Sequence, residues 1–190
     1  MDRREALKTF GAATAGAWLG SQLTALPAVA AVSKPRAALQ PFPLSAVRLL
    51  DSDFSAAQAR NARYLLALDP DRLLHNFRVN AGLKPKAPVY GGWESVQPWI
   101  DIRCHGHTLG HYLSACAMHY AATGDDVFKE RVAYAVSELA ACQAASKNGL
   151  VCAFPDGPEQ LERSLRGEDF VGVPWYTMHK IYAGLRDAHT

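Results

Sequence analysis

Apolar residues recur at helical spacing along most of the chain, which predicts helices and almost no strand. Ser55 to Leu68 carries such a pattern among Ala, Leu and Arg, all good helix formers. Asp69-Pro70-Asp71 reads as a stop and a restart. Asp69 can cap, Pro70 suits a first helical position, and Asp71 favours the positive helix end. That second helix runs to about Asn80, with Gly82 as its stop. A third is predicted from about Gly106 to Thr123, closed by Gly124. Asp125-Asp126 open a fourth that reaches about Ser146. Its apolar stripe is Val132, Ala135, Val136 and Leu139, with Lys129, Glu130 and Glu138 facing outward. Pro174 opens a last helix, Trp175 to about Ala188, with Trp175, Met178, Tyr182 and Leu185 on one face. Asn148-Gly149 marks a turn and Pro155 to Pro158 a loop, and Leu150 to Phe154 is the one strand-like run. Leu83 to Arg103 is the longest irregular stretch, and a segment of that length inside a domain points to function. The fold class is mainly α, built of antiparallel helix pairs.

The first thirty residues follow another rule. Arg3-Arg4-Glu5-Ala6-Leu7-Lys8 is a charged head with paired arginines, followed by an uncharged stretch from Thr9 to Ser33. Ala28-Val29-Ala30 is a small-x-small cleavage site. The leader resembles a twin-arginine (Tat) signal, so the Tat export machinery is an expected partner and the periplasm or exterior the expected location. The stretch is too polar for a stable membrane span, which needs about 20 strongly apolar residues. Residues 31–43 read as a Pro-rich linker, and 44–190 as the folded part.

Composition then narrows the function. Over 190 residues, 20 Lys+Arg face 18 Asp+Glu for a net charge of +2, with 49% hydrophobic residues. That is soluble-globular composition. It excludes a collagen-like repeat and a disordered tail, and the near-zero charge argues against nucleic acid as a partner. Cys104, Cys116, Cys142 and Cys152 form no C-x-x-C pair, so a zinc ribbon or thioredoxin-like motif is unsupported. An oxidising compartment would allow three disulfide pairings among them. Cys116 and Cys142 sit in helical apolar patterns that favour buried free thiols.

Candidate chemistry gathers around histidine. Three of seven histidines lie in Cys104-His105-Gly106-His107-Thr108-Leu109-Gly110-His111. His107 and His111 are four apart, so a helix projects them from one face. Two imidazoles at that spacing can bind a metal, pack in a core, or hydrogen-bond a polar ligand; Thr108 stands where H-E-x-x-H needs Glu. Gly106 and Gly110 suggest close backbone packing or close ligand approach. Trp93-Glu94 and Trp175-Tyr176 with His179 place aromatics beside a carboxylate and imidazoles, a combination that suits sugars. Packing of Trp175 and Tyr182 into the core is the plainer alternative. Glu94 is a candidate general acid, though it lacks a partner carboxylate.

Several ordered motifs add a resemblance. Val47-Arg48-Leu49-Leu50-Asp51-Ser52, Leu68-Asp69-Pro70-Asp71-Arg72-Leu73-Leu74 and Tyr90-Gly91-Gly92-Trp93-Glu94 come first. Gly106-His107-Thr108-Leu109-Gly110-His111-Tyr112-Leu113-Ser114-Ala115 and Trp175-Tyr176-Thr177-Met178-His179-Lys180-Ile181 follow. Together they resemble glycoside hydrolase families 127 and 146, the β-L-arabinofuranosidases, over about residues 44–188. The resemblance implies a partial (α/α)6 barrel here and retaining hydrolysis of β-L-arabinofuranosides of plant-type glycans. It also implies a zinc-bound cysteine nucleophile and a glutamate acid/base, so zinc is the cofactor expected of the full-length enzyme. Carried over by motif, Trp93, Glu94, His107, His111, Trp175, Tyr176 and His179 are the expected substrate-binding residues. None of the chain's residues falls on the catalytic or metal motifs, which the family places past Thr190. The 190-residue chain is therefore expected to be unstable or aggregating by itself, and catalytically silent. The segment Gln97 to Cys104 is longer than the family's usual spacing, which leaves the placement of Glu94 against His107 to the structure. Two alternatives stand beside this reading: a non-catalytic carbohydrate-binding module, and a small periplasmic metal-binding protein using His105, His107 and His111.

Overall fold

The computed structural model describes residues 41–95 and 104–189. The expected leader, most of the linker and most of the 97–104 segment lie outside those residues. Six α-helices are described: α1 (Asp53–Ala67), α2 (Pro70–Asn80), α3 (His107–Thr123), α4 (Asp126–Ala145), α5 (Gly157–Leu165) and α6 (Pro174–His189). Single 3-10 turns lie at Leu44–Ala46 and Gly92–Glu94. Among the described residues there is no strand. The protein is mainly α, in keeping with part of a helical barrel.

Local chemistry sets most of the boundaries. Ser52 and Ser55 exchange side-chain and backbone hydrogen bonds at the start of α1, two residues ahead of the expected start. The Asp69 carboxylate accepts from Asp71 N–H at 2.9 Å to cap α2, with Pro70 in the first turn. Asp125 caps α4 in the same way through Val127 N–H. Gly82 and Gly124 close α2 and α3 in the left-handed region, which favours glycine. Gly106 departs from its expected place inside α3. It precedes the helix at φ 94°, and a Cβ there would lie 2.7 Å from both Ala153 and Phe77 side chains.

Three further expectations are corrected. Leu150 to Phe154 is not a strand; its Cys152 and Phe154 carbonyls accept from Asn80 Nδ2 at 3.1 and 2.8 Å. With its carbonyls held by a side chain from α2, the run takes no ladder. The stretch after Pro155 holds α5, whose Pro158 sits in the first turn and whose Glu159–Arg163 and Glu162–Arg166 pairs follow helical spacing. On α6 the buried stripe is Thr177, Met178, Ile181 and Gly184, while Trp175 and Tyr182 are 47% and 58% exposed. Trp175 Nε1–H donates to Ser164 Oγ at 2.7 Å, so the indole packs toward α5 at the surface instead of entering the core.

The main core joins Leu73, Leu74 and Phe77 of α2, Leu109, Tyr112, Leu113 and Cys116 of α3, and Phe128, Val132, Ala135 and Leu139 of α4. The α4 stripe runs as expected, but Glu138 does not point freely outward. It pairs with Arg78 Nη1 at 2.6 Å and Lys86 Nζ at 2.8 Å. All four cysteines are free and buried.

Helices α3 and α6 cross with their backbones in close approach. A Cβ on Gly110 would lie 2.3 Å from the Lys180 carbonyl oxygen, and one on Gly184 2.5 Å from the Gly110 carbonyl oxygen. Two glycines thus let the backbones touch. Below them Ser114 Oγ–H donates to Asp187 Oδ2 at 2.7 Å. The irregular segment after α2 is equally fixed. Arg72, His75 and Arg78 of α2 bond the carbonyls of Pro88, Ala87 and Lys84. Arg72 also stacks over the Tyr90 ring at 3.9 Å. A loop laid along the polar face of a helix in this way presents its far end, Gly92–Glu94, at a defined place.

Candidate functional site

The site forms where that loop end meets the start of α3 and the outer edge of α6. Asn76 Nδ2–H donates to the Glu94 carbonyl at 2.7 Å and ties the 3-10 turn to α2. The Glu94 side chain then turns inward and is buried. Its Oε2 accepts Gly106 N–H at 2.6 Å and its Oε1 accepts Thr108 N–H at 3.2 Å. Gly106 has no side chain with which to cap α3, so a carboxylate from 12 residues upstream occupies the positive helix end.

His107 completes the arrangement. Its Nδ1 lies 2.8 Å from the Cys104 carbonyl and 3.1 Å from Glu94 Oε1. Both partners are acceptors, so Nδ1 carries a proton. Burial opposes the charge on Glu94, but hydrogen bonds from His107, Thr108 and Gly106 outweigh it and hold the carboxyl below its ordinary value. Burial likewise opposes charge on His107, and the Glu94 and Cys104 bonds outweigh it to raise the imidazole. A carboxyl held ionised in this way is a poor general acid, and both its oxygens are already engaged.

Around His107 stand three other rings. Trp93 lies 5.5 Å away between centroids, and His111 and Tyr176 lie 6.1 Å away. Trp93 and Tyr176 are 55% and 40% exposed and form the rim. Lys180, one turn after Tyr176, sits 5.0 Å over the tyrosine ring. His111 is lowered by burial first, then by the charges of Lys180, His107 and His179. The Gly110–Gly184 contact is what brings Tyr176 and Lys180 to this place.

The structure therefore gathers Trp93, Glu94, His107, His111 and Tyr176. Trp175 and His179 occupy the neighbouring face of α6, lining a groove with Met178, Tyr182, Ala183 and Arg186. Lys180 joins the site without being one of its sequence candidates. Its spacing of four from Tyr176 on a helix was the available signal. The cap formed by Glu94 also went unread. The signal was a helix start with glycine where a capping side chain belongs.

A model of the catalytic domain of GH127 β-L-arabinofuranosidases matches residues 46–190. The chain belongs to that family. No curated protein matches it in a sequence search. Membership makes it a chain of a glycoside hydrolase family, with a glycan as the substrate class.

The zinc expected of a full-length GH127 enzyme does not fit this chain's described residues. Among them no three His, Cys, Asp or Glu side chains gather to hold a metal. His107 Nδ1 is committed to Cys104 and Glu94, which removes one nitrogen from any cluster with His105 and His111. Burial raises all four thiols, Cys116 to about 11, opposite to the thiolate that a zinc ligand or nucleophile must be. Among the described residues no helix is long and apolar enough to cross a membrane.

Proposed function

We propose that this GH127 chain supplies the sugar-binding wall of a site for terminal β-L-arabinofuranosyl residues of plant-type glycans. The observation that carries the reading is the convergence of Trp93, His107, His111 and Tyr176 from three segments onto one rim. Exposed ring faces suit the apolar face of a furanose, and imidazole nitrogens suit its hydroxyls. His179 and Trp175, on the adjoining face of α6, would meet the neighbouring part of the glycan.

Neither the described thiols nor Glu94 is poised as a nucleophile or a proton donor. The thiols are buried and raised, and Glu94 is held as the anion. Sugar binding without turnover is accordingly the activity proposed for the 190-residue chain alone. Export through the Tat route, directed by Arg3-Arg4 and cleavage after Ala30, is part of the same proposal.

Calorimetry with methyl β-L-arabinofuranoside tests it. The chain should bind the β-anomer and prefer it to the α-anomer, and should release no product from a chromogenic β-L-arabinofuranoside. Equal affinity for the two anomers, or turnover by the chain alone, would contradict the reading.

A further inference from the structure

Glu94 has the sequence position of a sugar contact and the geometry of something else. Its oxygens meet two backbone N–H groups and the His107 ring, and its own carbonyl is held by Asn76. With Nδ1 held by Glu94 and the Cys104 carbonyl, the other ring nitrogen, Nε2, takes no hydrogen bond among the described residues. The side chain of His107 keeps about 10% exposure, beside the rim of Trp93, His111 and Tyr176.

The geometry points to Glu94 as a positioning residue that fixes the His107 ring so that Nε2 is the nitrogen presented to a sugar hydroxyl, without touching the sugar itself. The inference rests on the sugar-wall reading for its ligand, but not for the Glu94–His107 coupling. Glu94 does two jobs with one carboxylate. It closes the open end of α3, and together with the Cys104 carbonyl it sets which nitrogen of the first residue of that helix faces outward. A neutral His107 is then locked in the Nδ1–H tautomer with Nε2 as an acceptor, and a protonated one offers Nε2–H as a donor. Both forms keep the same ring orientation.

Beside the Trp93 ring, the polar and titratable groups that face His107 are Glu94 from the 3-10 turn, the Cys104 carbonyl, His111 from α3, and Tyr176 and Lys180 from α6. Glu94 favours the imidazolium, while Lys180 opposes it. Replacing the carboxylate by an amide keeps the shape and removes the charge.

Nitrogen-15 NMR of the imidazoles in the full chain and in Glu94→Gln tests the coupling directly. In the wild-type chain His107 should titrate above an ordinary histidine, and its neutral form should be the Nδ1–H tautomer. In Glu94→Gln its midpoint should fall below the wild-type midpoint, because the carboxylate that favours the imidazolium is gone. Binding of methyl β-L-arabinofuranoside should weaken by about tenfold in parallel. An Nε2–H tautomer in the wild-type chain, which requires no variant to fold, would overturn the proposal. So would an unchanged His107 titration in a folded Glu94→Gln chain. If the titration moves as expected but the wild-type chain binds no arabinofuranoside, the positioning role stands and the sugar reading fails.

Discussion

Glu94 and His107 stabilise each other as an ion pair at the start of α3, and their shifts fix a pH window. Glu94 is held below its ordinary value of 4.5, so its contribution is complete above that value and is lost as pH falls through the depressed one. His107 is held above its ordinary 6.5, so its contribution is complete below 6.5 and is lost as pH rises through the raised one. Chemical denaturation should show a stability plateau between about pH 4.5 and 6.5, and Glu94→Gln should flatten the fall on both sides. Glu94→Ala leaves the buried Gly106 N–H, the part-buried Thr108 N–H and a buried imidazole without their partner, and should cost about 3 kcal/mol in the same experiment. The cysteines give a prediction of opposite sense. With Cys116 buried and pushed to about 11, iodoacetamide at pH 8 should leave the native chain unlabelled there and react after unfolding. The sequence made His107, His111 and Trp93 visible as candidates, because residue type and spacing reveal a shared face. Glu94's role was harder to read: a glycine at the start of α3 marks a missing cap, but nothing local says that a carboxylate 12 residues upstream supplies it.

At the scale of elements, the approach of α3 to α6 controls the site. A Cβ at Gly110 would collide with the backbone of Lys180, which cannot move aside as a flexible side chain could. Gly110→Ala should therefore destabilise the chain by about 2 kcal/mol or more and weaken sugar binding by pushing Tyr176 away from His107. Gly91→Ala, where a Cβ meets nothing within 4 Å and φ is not in the left-handed region, should leave thermal unfolding nearly unchanged. Helices α2, α3, α4 and α6 were readable from their caps and periodicity, because Asp69, Asp125, Gly82, Gly124 and Pro174 act locally. Helix α5 was not. Pro155, Gly157 and Pro158 look like a loop until the buried Gln160, which accepts Val171 N–H at 2.8 Å, ties the helix to the following segment. On α6, Met178 and Leu185 pack inward as the spacing predicts, while Trp175 and Tyr182 stay at the surface for a related reason. Trp175 has the bulk of a core residue, but its indole N–H is satisfied by Ser164 at the surface.

Across the whole molecule, large apolar side chains remain open to water. Phe42, Leu50 and Phe54 are 82%, 83% and 76% exposed, and Leu165 is 74% exposed. Only Leu65 of α1 is buried. Apolar surface on that scale belongs against a partner surface, so the isolated chain should bind a hydrophobic dye such as ANS in its native state. A chain with its apolar faces covered would not. Mapping a ligand onto the chain shows whether a sugar-facing wall lies at the meeting of the Gly92–Glu94 turn, α3 and α6. Titrating methyl β-L-arabinofuranoside into the labelled chain by NMR should move the Trp93 indole and the rings of His107, His111 and Tyr176 together, and His107→Ala should abolish those changes. Shifts confined to the Trp175–Tyr182 groove, or no shifts at ligand concentrations reaching tens of millimolar, would contradict the account.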